Sequence, residues 1–177
     1  SIGVLVTFYI AYYTLMVFSA RKPNNIKKSP ITPLVTLIIP TYNEEEVIVQ
    51  KLNNVKELEY PRNLIEVIVI DSASTDDTAN LVQDFINENI DELNVLLVKQ
   101  ESREGKACAL NDVWGLCNGD ILILSDADSL LHDDALRQVV SNFADASVGA
   151  VGGRQVLLNA GQSLAVGTER SYRSLFE

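Results

Sequence analysis

Two cysteines in 177 residues exclude a disulfide scaffold, and a single histidine leaves no Ser-His-Asp, Cys-His or zinc-ligand set to assemble. Neither a Walker A loop nor G-x-G-x-x-G occurs, so P-loop and dinucleotide-binding readings lose most of their weight. Residues 1–30 contain no acid. They do hold Arg21, Lys22, Lys27 and Lys28, a net +4. The remaining 31–177 carry 10 basic and 24 acidic residues, a net −14 within a whole-chain −10. A body this acidic is a poor surface for generic nucleic-acid binding, which runs on basic patches. A polyanion could still bind locally where a metal neutralises it. What is present is ordinary: 47% hydrophobic and 21% charged residues make a globular chain with no low-complexity tract or internal repeat. The length suits one domain. The chain opens on Ser1 and closes on Glu177 within a helix-like pattern, which reads as a fragment.

Ile2 to Phe18 is an uncharged, mostly apolar stretch, followed at once by the basic cluster. Its length is at the lower edge of what spans a bilayer, and the charge asymmetry puts its C-terminal side in the cytoplasm. The expectation is a transmembrane helix over 1–19. A signal peptide would want its charge before the apolar run, and a buried core helix is the remaining alternative. Pro23, Pro30 and Pro33, with Asn24, Asn25 and Ser29, then predict an extended basic linker over 20–33.

From residue 34 short apolar runs alternate with helical patterns. Val35–Ile39, Val67–Ile70, Val95–Val98 and Ile121–Leu124 are predicted strands, and Val148 to Val151 opens a fifth. Helices are expected between them. Asn43, with Glu46 as capping-box partner, starts the first, which buries Ile48, Leu52 and Val55. Ser74 or Thr75 caps the second, with Leu81, Val82, Phe85 and Ile86 inward. The third runs from Lys106 to Cys117 with Leu110, Val113, Trp114 and Cys117 inward. Asp133 or Asp134 caps a fourth reaching Phe143. Continuous rather than alternating apolar strands argue for a parallel sheet covered on both faces.

Ligands of open α/β sheets bind beyond the carboxyl ends of the strands. Thr41 to Glu44 follow the first strand, Asp71 to Asp76 the second, Arg103, Gly105 and Lys106 the third, and Asp126 to Asp128 the fourth. Polar groups thus converge on one edge. Asp126 and Asp128, two residues apart, suit a hard divalent cation, although the same pattern also makes turns. Asp71 either accepts hydrogen bonds from a base or ribose, or makes an Asx turn. Arg103 and Lys106 suit a diphosphate at a helix start, or are solvated loop charges. His132 reads as a surface or capping residue. Cys108 and Cys117 lie nine apart in one predicted helix and cannot bridge.

Four ordered segments carry a resemblance. They are Ile39-Pro-Thr-Tyr-Asn-Glu44, Val69-Ile-Asp-Ser-Ala-Ser-Thr-Asp76, Arg103-Glu-Gly-Lys-Ala107 with Ala109-Leu-Asn111, and Ser125-Asp-Ala-Asp128. Together, over about Val35 to Gly153, the chain resembles family-2 glycosyltransferases of GT-A fold, especially membrane-anchored synthases of the chitin, hyaluronan, cellulose and poly-N-acetylglucosamine type. The resemblance implies an α/β, Rossmann-like, mostly parallel sheet with helices on both faces, preceded by one transmembrane helix. Residues 34–177 would be the donor-binding part. The protein would sit in the cell membrane, its catalytic domain cytoplasmic.

The activity implied is inverting, metal-dependent transfer of a sugar from a nucleoside-diphosphate donor, usually UDP, to a saccharide or lipid acceptor. Pro40, Tyr42 and Glu44 would line the nucleotide pocket, and Asp71 would hold the base. Lys106 with Arg103 would approach the diphosphate. Asp126 would reach the ribose–diphosphate region and, with Asp128, bind magnesium or manganese. The family's general base sits in a later Glu-Asp or Thr-Glu-Asp context, and its processive members carry a later Gln-x-x-Arg-Trp. Neither occurs up to Glu177. The base is therefore expected beyond Glu177, and this piece alone is expected to bind donor without turnover. A catalytically incomplete nucleotide- or partner-binding relative is the alternative. A nucleotidyltransferase is disfavoured, because Pro-Thr-Tyr-Asn-Glu stands where its Gly-rich basic loop belongs.

Overall fold

A computed structural model describes residues 2–20 and 26–154. In chain order the described elements are α1 (Ile2–Ala20), β1 (Val35–Thr41), α2 (Ile48–Lys56), β2 (Ile65–Asp71), α3 (Thr78–Glu88), β3 (Asn94–Lys99), α4 (Lys106–Val113), β4 (Ile121–Leu124) and α5 (Ala135–Val140). The sheet order is β3-β2-β1-β4, and every pair is parallel. Thr41 lies opposite Asp71, Asp71 opposite Lys99, and Ile38 opposite Leu124, so all four carboxyl ends open on one edge.

Alternation along the central strands divides the core. Val35, Leu37, Ile39, Val67 and Val69 face one way and pack with Ile48, Leu52 and Val55 of α2, Val82 and Phe85 of α3, and Leu136 and Val140 of α5. Ile38, Ile68 and Ile70 face the other way, against Ala109 and Val113 of α4. Burying each such aliphatic side chain contributes roughly 1.5–3 kcal/mol. The central strands β1 and β2 are covered on both faces, as expected. The outer strands are not: β3 alternates exposed and half-buried residues, and Leu124 of β4 is exposed.

Several expectations are corrected. No strand forms over 148–151. Among the described residues the sheet stops at four strands, and that segment has no ladder to join. The helix from Lys106 ends at Val113 and tightens into a 3-10 turn, Trp114–Leu116. That change of pitch carries Trp114 outward, 69% exposed rather than in the core. Likewise α5 gives way to a 3-10 turn at Ser141–Ala144. None of the expected cap side chains bonds its helix start. The residues preceding α2, α3 and α5 are Val47, Asp77 and Asp134, without a side-chain cap hydrogen bond.

The apolar N-terminal stretch is helical as α1, with Thr7 and Thr14 bonding back to the Gly3 and Ile10 carbonyls. Its apolar side chains are exposed all round, Leu5 and Phe8 each by 71%. Yet among the described residues no helix is long and apolar enough to cross a membrane, so the transmembrane expectation is not met. Of the linker, residues 26–33 are irregular as expected but are pinned to the domain. Lys27 N donates to Asp145 Oδ2 (3.1 Å), Ser29 N to the Ser141 carbonyl (3.2 Å), and the Tyr60 hydroxyl to the Pro33 carbonyl (2.6 Å). Residues 155–177 lie outside the described residues.

At the sheet edge remote from the strand carboxyl ends, a polar network ties β1, β2 and the approach to β4. Glu66 accepts from Thr36 Oγ1 (2.6 Å), Asn118 N (3.0 Å) and Asn118 Nδ2 (2.7 Å). Burial raises the Glu66 carboxyl, but those hydrogen bonds outweigh it and hold the group below its ordinary range.

Candidate functional site

The expected residues do meet at the carboxyl edge. Thr41 ends β1, and the chain turns through Asn43 at φ 55°, a left-handed conformation that Asn tolerates. The loop after β2 turns at Ala73, φ 57°, where a β-carbon makes the conformation costly. These loops are zipped together. Asn43 N donates to Ser74 Oγ (3.0 Å), and Asn43 Oδ1 accepts from Thr75 N (2.8 Å). Glu45 N donates to Asp76 Oδ2 (3.2 Å), and Asp77 N returns a bond to Glu45 Oε2 (2.9 Å). Asn43, Ser74 and Thr75, expected as caps, therefore spend their polar groups between loops.

Asp71 ends β2 at 4% exposure. Its Oδ2 accepts from Ser74 N at 3.4 Å, while Oδ1 is buried with no hydrogen-bond partner. It is the only such side-chain atom among the described residues. An orphaned buried carboxylate oxygen costs on the order of 1–3 kcal/mol, so it is an unpaired acceptor at the carboxyl end of β2.

The segment after β3 crosses the edge. Gln100 N donates to the Asp71 carbonyl (2.9 Å). The Arg103 guanidinium lies 3.8 Å from the centroid of the Tyr42 ring, a cation–π contact. Gly105 adopts φ 91°, which turns the chain into α4. Lys106, first residue of that helix, donates to Asp126 Oδ1 at 2.5 Å. Of the expected set, Pro40, Tyr42 and Glu44 are half-buried, and Arg103, Lys106, Asp126 and Asp128 are exposed.

After β4, Ser125 N donates to the Ile38 carbonyl (3.0 Å). Asp126 and Asp128 then point outward, because Ala127 between them is buried in the core. The Asp126 carbonyl accepts from Ser129 N (3.3 Å) and Ser129 Oγ (2.9 Å), closing a turn around the pair. Burial, then Asp128, Asp76 and Asp126, raise the Glu44 carboxyl above its ordinary range. The acids therefore lie within electrostatic reach of one another and form a negative field. No third His, Cys, Asp or Glu completes a protein-only metal site among the described residues. That donor set fits a magnesium-like cation, which takes one or two carboxylates and fills its shell with water and phosphate oxygens.

Lys51 is the residue that sequence reasoning overlooked. It is fully buried on α2, donates to Ser125 Oγ (2.6 Å), and also donates to the Ser129 carbonyl. Burial pushes its ammonium down to about 8, partly opposed by Asp126 and Asp128. The signal was available: positions 48, 51, 52 and 55 form one helical stripe, and a lysine fills one of its core slots. His132, 83% exposed and bonded to Asp134, is the surface residue expected. The two cysteines are free.

A four-stranded parallel sheet with this polar edge has known counterparts. A mannosyltransferase of Pyrobaculum calidifontis, solved with GDP-Man and Mn2+, superposes with a TM-score of 0.75 at 38% identity, over 86% of this chain and 46% of that one. The α/β fold is thus GT-A-like. A beta-monoglucosyldiacylglycerol synthase of Nostoc sp. is 38% identical over 128 residues, 72% of this chain and 27% of the relative. A poly-beta-1,6-N-acetyl-D-glucosamine synthase of Staphylococcus aureus is 37% identical over 142 residues, 80% of this chain and 33% of the relative. The chain therefore spans between about a quarter and a third of the length of these two relatives. The sequence pattern of glycosyl transferase family 2 matches residues 36–171, and with the fold and the relatives in agreement, the chain belongs to that family.

Proposed function

We propose that this chain is the donor-binding part of an inverting glycosyltransferase that takes a nucleoside-diphosphate sugar, with uridine as the base, and depends on magnesium or manganese. The observation that carries the proposal is the unpaired Asp71 Oδ1, buried at the end of β2 where the second of the zipped loops begins. A base N–H donated to it satisfies an acceptor the fold leaves open. Pro40, Tyr42 and Glu44 line the pocket beside it. Arg103, stacked on Tyr42, and Lys106, at the start of α4 beside Asp126, would neutralise a diphosphate.

Asp126 and Asp128 would hold the cation, and Asp126 would reach the ribose–diphosphate region. A bound divalent cation neutralises charge growing on the leaving diphosphate. Lys106 exchanges its bond to Asp126 for a phosphate oxygen when the donor enters. Direct displacement also needs a general base for the acceptor hydroxyl, and none of these residues is assigned to that step. The acceptor is a saccharide or a lipid, the two classes spanned by the relatives' names.

Calorimetric titration of the 177-residue chain with UDP, GDP and TDP, with and without Mg2+ or Mn2+, tests this. UDP should bind, and more tightly with metal. If no nucleoside diphosphate binds with metal present, the site assignment is wrong.

We further propose that α1 attaches the chain to the cell membrane, with the family domain on the cytoplasmic side. The support is a helix exposing Leu5, Phe8 and Ile10 next to a basic cluster, a pairing that favours anionic bilayers. The whole chain should float with phosphatidylglycerol vesicles, and a Leu5→Asp/Phe8→Asp variant should stay behind. Equal flotation of both would remove α1 as the anchor.

A further inference from the structure

The Asp126–Asp128 turn is held from beneath by one side chain that touches neither carboxylate. Lys51 Nζ donates to Ser125 Oγ at 2.6 Å and to the Ser129 carbonyl, the residues immediately flanking the turn. One helical turn further along α2, Asn54 grips the continuation: its Nδ2 donates to the Leu131 carbonyl (2.9 Å), and its Oδ1 accepts from Leu131 N (2.8 Å). The two side chains lie three apart, on the same helix face. A buried ammonium is expensive, and here two neutral oxygens accept its hydrogen bonds rather than a carboxylate. An apolar residue in that core slot would pack with Ile48, Leu52 and Val55 at no such cost. Fold stability alone gives little reason for a lysine here.

We infer that Lys51 is a positioning residue, which fixes the Ser125–Ser129 turn so that Asp126 and Asp128 are placed to receive the metal-bound donor. This rests on the metal-binding reading of that pair. The geometry makes the inference sharp, because two roles for a buried cation predict opposite signs. A charge that merely sits under the site repels an incoming divalent cation, so removing it should tighten metal binding. A charge that holds the turn should, when removed, weaken metal binding, as loss of a partner that orients a ligand typically costs 10–100-fold.

The test uses the whole chain and Lys51→Met, which fills the slot without donors. Amide hydrogen exchange without metal should quicken at least about tenfold at Ser125 and Ser129, whose amides are bonded to the Ile38 and Asp126 carbonyls, with β2 amides unchanged. Mn2+-dependent UDP affinity should fall about tenfold, by calorimetry and by the Mn2+ electron-resonance signal, while metal-free UDP affinity stays at the parent value. Unchanged exchange, or Mn2+-dependent binding equal to or tighter than the parent, overturns the inference. Should Lys51→Met not fold, Ser125→Ala keeps the cation and removes one acceptor. It should show the same two changes at roughly threefold, and parent-like values overturn the inference. Exchange is read without any ligand, so failure of the donor reading is told apart: the turn would loosen in the variant while the parent bound no nucleotide.

Discussion

Asp128→Asn is expected to lower metal-dependent nucleoside-diphosphate affinity about 100-fold or more, leaving metal-free affinity and the melting temperature near the parent's. Asparagine keeps the shape of the side chain and removes the charge a hard cation requires. Asp128 is the more telling of the pair. Asp126 already carries the Lys106 ammonium at 2.5 Å, whereas among the described residues no cation pairs with Asp128. The Asp128 charge is nonetheless felt, since it helps to raise the Glu44 carboxyl. The side chain is exposed and makes no hydrogen bond within the described fold, so the substitution removes no packing. Calorimetry with UDP and Mn2+ reads the effect. Equal binding by variant and parent would end the role of Asp128 as a ligand.

Gly119→Ala should destabilise the domain by about 3 kcal/mol and lower its melting temperature by roughly 6–12 °C. A β-carbon at Gly119 would stand 2.4 Å from Thr36 N, 2.7 Å from Thr36 Oγ1 and 2.9 Å from the Val35 carbonyl carbon. Two of those atoms are main chain of β1, which is hydrogen-bonded on both sides and cannot give way locally. Relief must come from moving the 118–120 segment. That would break the bond from Gly119 N to Thr36 Oγ1 (2.9 Å) and pull Asn118 from Glu66. Glu66 would then be a buried carboxylate short of donors. Gly149, with open space around its α-carbon, is the control, and its alanine variant should melt within about 1–2 °C of the parent. A Gly119→Ala melting point in that same range would mean the close approach of these segments is wrong.

The strand cores were readable because an apolar run between polar turns has few other uses. Val35–Ile39, Val67–Ile70, Val95–Val98 and Ile121–Leu124 all lie within β1 to β4. Strand ends were less readable. The parallel ladder takes in Glu66, Asp71, Asn94 and Lys99, whose side chains look like loop residues while their main chain pairs. Helix starts misled for a related reason. Asn43, Ser74 and Thr75 have cap-forming side chains, but these bond across to a loop about thirty residues away instead: the Asn43 and Ser74 oxygens accept there, and the Thr75 hydroxyl donates to Asn43 Oδ1. A helical period extended past Val113 places Trp114 inward, but α4 becomes a 3-10 turn there and the side chain faces out. Lys51 was missed because its charge counts as surface in a composition reading, although its position in the Ile48–Val55 stripe puts it inside.

From the sequence alone come the strand–helix alternation and the clustering of Asp71, Arg103, Lys106, Asp126 and Asp128 after strands. Both follow from local rules: apolar runs bury, and polar residues follow them into loops. The tertiary structure decided what those residues do to one another. It left one oxygen of Asp71 without a partner, laid Arg103 on Tyr42, paired Lys106 with Asp126 and put Lys51 beneath the turn. The register and order of the strands set these relations across 20 to 78 residues of chain, and local sequence pattern carries no such distances.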